Sequence, residues 1–162
     1  MQSGNQVNSK TINFGVHLTL DGYGGNPKKL NNKELVYKCL KELPEKLGMH
    51  IIFGPEVVEF TDANPKDSGG HSGFTMIAES HISCHTFPYR KFVSIDAYTC
   101  AGEIDQDFVI NYFKEAFELE DVEINYIKRG TRFPDHDLVT KEEMREEFSP
   151  QMERVAVAKE QS

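Results

Sequence analysis

The chain has 162 residues, of which 18 are Lys or Arg and 26 are Asp or Glu, so its formal net charge is −8 at pH 7. A sequence-independent DNA or RNA binder needs basic surface to displace counterions, and no apolar run approaches the roughly 18 residues of a membrane span, so neither nucleic acid nor membrane is an expected partner. The N-terminal residues lack the apolar core of a secretory signal, and three cysteines are too few for a disulfide framework. We therefore expect a cytoplasmic protein.

The first fifty residues predict a strand followed by a helix. Residues 1–12 are polar and are expected to be disordered, whereas residues 13–20 alternate apolar and polar side chains as a half-buried strand does. After a loop rich in Gly and Asn, Asn31 or Asn32 can cap a helix that Gly48 ends. The apolar positions of this helix follow helical spacing: Leu35, Val36, Leu40, Leu43 and Leu47.

The middle of the chain predicts a run of β-strands. Residues 49–60 are rich in β-formers but contain Gly54-Pro55, which fits either two short strands or one bent edge strand. A loop rich in Gly, Asn and Pro follows at 61–70. The block that comes next predicts three strands joined by tight connections, at 73–79, 81–87 and 92–99.

The C-terminal part predicts one more helix, at 104–119, and one more strand, at 122–130. The apolar face of this helix is expected to contain Phe108, Tyr112, Phe113, Ala116 and Phe117. This order of elements favours an α+β fold, a two-layer sandwich in which an antiparallel sheet carries helices on one face. We expect one domain at 13–130, preceded by the disordered segment and followed by a charged extension at 131–162.

Reactive polar side chains are concentrated in the predicted middle strands. Burying hydroxyl, imidazole or thiol groups costs free energy unless each finds a partner, so a purely structural strand would carry fewer of them. The residues concerned are Ser72, Glu79, Ser80, His81, Ser83, Cys84, His85 and Cys100. Their density indicates a functional site in this block.

Two chemistries are open from these residue types alone. Zinc accepts ligands such as His81, Cys84 and His85, but a second pair at a recognisable spacing is missing, and on a strand Cys84 points away from both histidines. We therefore expect no metal. Alternatively, Cys84 or Cys100 could act as a nucleophile beside a histidine, although no hydrolase signature surrounds either cysteine.

A longer pattern in the same block resembles a known family. Residues 79–88 read E-S-H-x-x-x-H-T-aromatic-P, a cysteine follows the second histidine by 15 residues, and a serine precedes the motif serine by eight. These residues and spacings resemble the bacterial and archaeal type of S-adenosylmethionine decarboxylase. The resemblance covers roughly residues 13–130.

The resemblance implies a proenzyme that cuts itself between Glu79 and Ser80. The Ser80 hydroxyl would attack the Glu79 carbonyl carbon to give an ester, and elimination with loss of ammonia would leave a pyruvoyl group at the new N-terminus. His85 would transfer a proton during processing, and Ser72 would assist. The pyruvoyl carbonyl would form a Schiff base with the substrate and accept electrons in place of pyridoxal phosphate, with Cys100 as the proton donor.

The resemblance also implies a substrate and an assembly. Members of the family decarboxylate S-adenosylmethionine to the aminopropyl donor of polyamine biosynthesis. A chain of this size is expected to form a homodimer of cleaved chains, with the sheets facing each other and the active sites near the interface. Cys84 matches no functional position of the family and Cys39 falls in the first predicted helix, so we expect both to pack in the core.

Two positions depart from the family pattern and leave the substrate open. The family typically has a ribose-binding glutamate after the motif proline, where this chain has Tyr89, and the aromatic residue that stacks on adenine is missing from 64–70. Tyr89 and the loop residue Asp67 are the candidate substrate-binding residues. One alternative is a pyruvoyl-dependent decarboxylase of arginine or ornithine, whose cationic group a loop carboxylate could bind. Another is a non-catalytic homologue that acts as a partner subunit.

Overall fold

The computed structural model describes residues 11–61 and 68–145. Its contacts divide the chain into two units, one of Asn13–Thr131 and one of the residues on either side. In the second unit, strands β1 (Thr11–Ile12) and β8 (Phe133–Pro134) form a two-stranded antiparallel sheet, and residues 141–145 are helical. Residues 1–10, for which disorder is predicted, lie outside the described residues.

The larger unit is built on a six-stranded sheet. Its elements in chain order are β2 (Gly15–Tyr23), α1 (Pro27–Leu30), α2 (Lys33–Lys46), β3 (Ile51–Phe60), β4 (Gly70–Ile77), β5 (Ser80–Phe87), β6 (Phe92–Thr99), α3 (Gln106–Phe117) and β7 (Asp121–Arg129). The strand order is β3-β4-β5-β6-β2-β7, and every neighbouring pair is antiparallel. Within the described residues, no helix is long and apolar enough to cross a bilayer.

The helices cover one face of this sheet. Along β4, β5 and β6 buried residues alternate with less buried ones, and the buried set joins one hydrophobic core with α2 and α3. We call the opposite side the open face; it carries His81, Ser83 and His85 of β5. The predicted α+β sandwich, with its antiparallel sheet and helices on one side, is confirmed.

Both long helices begin at a side-chain cap and bury one stripe. The Asn32 side chain accepts a hydrogen bond from the Leu35 N–H (3.1 Å), and Asp105 accepts one from Phe108 N–H (3.0 Å). The buried residues of the two helices include Val36, Cys39, Leu40, Leu43, Val109, Phe113 and Phe117. Phe108, which the spacing places on the buried stripe, is exposed because the stripe centres on Val109 instead.

The structure also distinguishes between the two forms that the sequence predicts for the segment around Gly54-Pro55. β3 is a single strand at the edge of the sheet, and its pairing with β4 shifts register between Ile51 and Glu56. Proline has no N–H for a ladder, so an edge position with an irregular register accommodates it. Of the two predicted forms, the bent edge strand is the correct one.

A proline inside α2 creates a specific link to the sheet. Pro44 has no N–H, so the carbonyl of Leu40, four residues earlier, lacks its usual helical donor. The buried hydroxyl of Thr75 on β4 donates a hydrogen bond to this carbonyl (3.2 Å). Because a buried carbonyl without a donor is costly, this contact ties the position of α2 to β4.

We predict that Thr75→Val, which keeps the shape but removes the donor, lowers the free energy of unfolding by about 1–3 kcal/mol. Urea denaturation followed by circular dichroism measures this. Pro44→Ala restores a backbone N–H within reach of the Leu40 carbonyl, so Thr75→Val should cost less in that background. An unchanged urea midpoint for Thr75→Val alone would contradict the role of this hydrogen bond.

Candidate active site

The predicted cleavage bond lies where a tight turn meets a strand. Ala78 and Glu79 connect β4 to β5, and Ser80 opens β5 opposite Ile77 on one side and Thr99 on the other. Ser80 has a φ of 145°, a backbone conformation that side-chain-bearing residues rarely adopt. Holding a residue in such a region costs on the order of 1–3 kcal/mol, and it persists only where its surroundings fix it. The turn is therefore strained at the residue that carries the candidate nucleophile.

The carbonyl that precedes Ser80 is held by a backbone donor. The N–H of Cys100, which follows β6, donates a hydrogen bond of 2.8 Å to the Glu79 oxygen. A donor at this place polarises the carbonyl and stabilises negative charge that develops on its oxygen when a nucleophile attacks. The sequence did not indicate this contact, because it depends on how β5 and β6 are paired. Cys100 thus contributes its backbone as well as its exposed thiol.

Ser72 and His85 are brought together by the β4–β5 ladder. They are direct cross-strand partners on the open face, and Ser72 Oγ lies 2.9 Å from His85 Nδ1. His85 lies five positions after Ser80 along β5, and at about 3.3 Å per position the two are roughly 16 Å apart. Within one chain, the pair is therefore formed at a distance from the strained serine.

The other histidine and cysteines of the block have different surroundings. His81 lies on the open face between the rings of Phe74 and Tyr98, and burial is the main cause that lowers its pKa. Cys84 and Cys39 are buried in the core, as predicted, and burial raises the pKa of the Cys39 thiol to about 11. Cys84 lies on the opposite face from both histidines, and the part of the chain that the structure describes holds no cluster of metal-ligating residues.

Of the two candidate substrate-binding residues, the structure describes Tyr89, which does not lie near Ser80. Tyr89 lies in a single 3₁₀ turn, Pro88–Arg90, after the end of β5 farthest from Ser80, and it is 80% exposed. It borders a cavity of about 390 Å³ together with Asn31, Thr61 and Gly70. Asp67 lies outside the described residues. In a single chain, Tyr89 and Ser80 are at opposite ends of one strand.

A residue that the sequence did not single out contacts the turn. His50, between α2 and β3, donates its backbone N–H to Glu79 Oε2 (3.2 Å), and its ring Nδ1 lies 2.9 Å from Glu79 Oε1. These hydrogen bonds are the main reason why the pKa of the Glu79 carboxyl is lowered. The side chain of the residue before Ser80 is thus anchored to a different part of the fold.

Comparison with known proteins identifies the family. The family model described as S-adenosylmethionine decarboxylase matches residues 16–130. A Clostridium botulinum protein named S-adenosylmethionine decarboxylase proenzyme is 35% identical over 116 residues, which cover 72% of this chain and 94% of the relative. The chain belongs to the S-adenosylmethionine decarboxylase family. A Caldicellulosiruptor saccharolyticus protein of the same name is 31% identical over 117 residues, covering 72% of this chain and 89% of that protein.

Solved structures support the family fold. The structure of the adenosylmethionine decarboxylase from Aquifex aeolicus matches with a TM-score of 0.58 at 22% identity and covers 82% of this chain and 99% of that one. The S-adenosylmethionine decarboxylase family comprises pyruvoyl-dependent carboxy-lyases, and its motif residues here lie on β4, β5 and the end of β6. The resemblance inferred from the E-S-H motif is thereby confirmed.

We predict that the three thiols differ sharply in reactivity. In the folded protein at pH 8, iodoacetamide should modify Cys100 first, because Cys39 and Cys84 are buried and only the thiolate reacts. Mass spectrometry of tryptic peptides measures the sites, and the same labelling in urea is the control in which all three react. Equal labelling of Cys39 or Cys84 in the folded protein would contradict the placement of these residues.

Proposed function

We propose that this chain is a self-processing decarboxylase that acts on S-adenosylmethionine through a pyruvoyl group made from Ser80. The observation that carries the proposal is the strained Ser80 directly after a carbonyl that the Cys100 N–H holds. The names of the Clostridium and Caldicellulosiruptor relatives, which are proenzymes of this activity, agree with it.

Processing begins with attack by Ser80 Oγ on the Glu79 carbonyl carbon. The peptide C–N bond breaks as the ester C–O bond forms, and the former amide nitrogen takes up the serine proton. The Cys100 N–H stabilises the oxyanion of this step, and relief of the positive φ at Ser80 favours leaving the starting geometry.

Elimination then frees the upstream chain. A base removes the Ser80 α-proton and the Cβ–Oγ bond breaks. The main-chain carboxylate of Glu79, now the C-terminus of the upstream chain, leaves with the electron pair. Water replaces the nitrogen, which departs as ammonia, so no oxidant or reductant is needed. We assign proton transfer in processing to His85, whose ring is positioned by the Ser72 hydroxyl at 2.9 Å.

The residues around Ser80 fit a pyruvoyl group at the start of the downstream chain. The group supplies a carbonyl that accepts the electron pair left when carbon dioxide departs. The exposed Cys100 thiol belongs to the residue whose backbone N–H holds the Glu79 carbonyl. We assign this thiol the role of donating a proton to the product carbon. This assignment uses no metal and no pyridoxal phosphate.

A second copy of the chain completes the site in this proposal. Within one chain the Ser72–His85 pair is roughly 16 Å from Ser80, too far for proton transfer without a partner. The open face of the sheet also exposes apolar side chains at Val58, Phe74 and Ile127, as an interface between two sheets would require. A homodimer with the open faces together would place the pair of one copy against Ser80 of the other.

The Tyr89 position supports a second candidate substrate. Tyr89 follows the motif proline, where the resemblance implies a ribose-binding carboxylate, so this position lacks the ribose contact expected for S-adenosylmethionine. A decarboxylase of arginine or ornithine with the same pyruvoyl chemistry therefore remains the second proposal, with S-adenosylmethionine first on the strength of the family.

We predict that the purified chain consists of residues 1–79 and 80–162, the second with a blocked N-terminus. Ser80→Ala, which has no nucleophile, should stay at full length and release no carbon dioxide. Intact-mass spectrometry measures both. Ser83→Ala is the matched control, since Ser83 lies on the same strand away from the turn, and it should be cut normally. A wild-type chain of full-length mass would overturn self-processing.

We predict that processing is rescued between chains. His85→Ala alone should stay uncut, but after co-expression with Ser80→Ala it should be cut, because the second chain supplies an intact Ser72–His85 pair. Distinct affinity tags and a denaturing gel identify which chain is cleaved. Cleavage of His85→Ala on its own, or failure of the mixed dimer to cut it, would contradict transfer between subunits.

We predict that Cys100→Ala separates the two roles of Cys100. Alanine keeps the backbone N–H, so cutting should proceed, whereas loss of the thiol should slow decarboxylation by roughly 100-fold or more. Carbon dioxide release from S-adenosylmethionine, arginine, ornithine and lysine, each offered separately, measures the activity and the substrate together. Wild-type turnover in Cys100→Ala would show that another acid protonates the product.

A further inference from the structure

The two-residue turn before Ser80 is bound at both residues by His50. The Ala78 N–H donates to the His50 carbonyl (2.8 Å), and the Glu79 carboxylate receives both the His50 backbone N–H (3.2 Å) and its ring Nδ1 (2.9 Å). The Cys100 N–H also donates to the main-chain carbonyl oxygen of Glu79, so the peptide before Ser80 is held from two separate parts of the fold.

We propose that His50 is a positioning residue for self-cleavage: its ring, by holding the Glu79 side chain, keeps the Glu79–Ser80 peptide in the strained form that Ser80 attacks. This inference rests on the proposed self-processing and adds to it a residue that neither the E-S-H motif nor the matched spacings contain. His50 does not touch the reacting atoms, and it acts through Glu79.

The physical reason lies in the strain at Ser80. A two-residue turn that leads into a residue with a φ of 145° relaxes unless contacts on both sides oppose the relaxation. The β5 ladder fixes Ser80 from its C-terminal side, through pairing with Ile77 and Thr99. On the N-terminal side the described contacts are those of His50 and Cys100, and only the Glu79–His50 contact involves side chains.

The solvent exposure of His50 distinguishes this role from packing. The His50 side chain is 80% exposed and that of Glu79 is 17% exposed, so the ring contacts the carboxylate from its solvent side. An exposed contact of this kind adds little to global stability. Loss of the ring should therefore leave the fold intact and change chiefly the geometry of the turn.

The test compares a residue that keeps the donor with one that removes it. The side-chain amide nitrogen of Asn can occupy the place of the ring Nδ1, so His50→Asn should cut at nearly the wild-type rate. His50→Leu keeps the backbone N–H but has no side-chain donor, so it should cut about two- to tenfold more slowly, the effect of one hydrogen bond. Cell-free synthesis followed by a timed chase on a denaturing gel gives the cleavage rate of each full-length chain.

His136→Leu is the matched control. His136 is also an exposed histidine whose Nδ1 contacts a carboxylate, but that carboxylate belongs to Asp135 and not to Glu79, so its loss should leave the cleavage rate unchanged. The thermal midpoint of each variant, measured in a Ser80→Ala background so that all chains are uncut, should match that of Ser80→Ala alone.

The possible results separate this inference from the function on which it rests. Slow cutting by His50→Leu, with rescue by His50→Asn and equal thermal midpoints, supports the positioning role. Equal rates for wild type and His50→Leu, or equally slow rates for both His50 variants, overturn it while leaving self-processing in place. A wild-type chain that never cuts overturns self-processing and this inference together.

Discussion

The pairing register of β4, β5 and β6 is the constraint on which the rest of the molecule depends. β5 is hydrogen-bonded on both sides, so that Ser80 lies opposite Ile77 and opposite Thr99. Because side chains alternate between faces, a slip of one residue would exchange the buried side chains of β5 for those of the open face. The same slip would carry the Cys100 N–H away from the Glu79 carbonyl, and the candidate site would be lost with the core.

Buried hydroxyl groups reinforce this register. Three threonines on the helix-covered side of the central strands are buried, and a misplaced hydroxyl without a partner would cost about 1–3 kcal/mol. Each has a backbone partner: Thr86 with His71 across the β4–β5 ladder, Thr75 with Leu40 of α2, and Thr99 with Ala101 two residues further along the chain. The Thr86 contact thus favours one alignment of β5 with β4, and the Thr75 contact aligns β4 with α2.

Local sequence patterns predict the helices and strands well, but they do not predict contacts between residues that are distant in sequence. The alternation of β5 and the helical spacing of α2 depend on neighbours a few residues apart, which is why both elements were predicted correctly. The cross-strand contact of Ser72 with His85 and the approach of His50 to Glu79 join residues 13 and 29 positions apart. Such contacts depend on strand register and on the course of a connection, which periodicity does not encode. The motif therefore predicted the candidate cleavage bond between Glu79 and Ser80, and the fold shows that His50 and the Cys100 N–H contact Glu79.

The strand order has a consequence for a chain that is cut before Ser80. Of the strands in the six-stranded sheet, the upstream piece would contain β2, β3 and β4, and the downstream piece would contain β5, β6 and β7. In the sheet, however, β2 is inserted between β6 and β7, and β4 borders β5. The two pieces are interleaved, and their separation would require four ladders to break: β4–β5, β2–β6 and β2–β7 of the six-stranded sheet, and β1–β8. Scission of the backbone would then leave the six-stranded sheet assembled, with the new chain end at the first residue of β5.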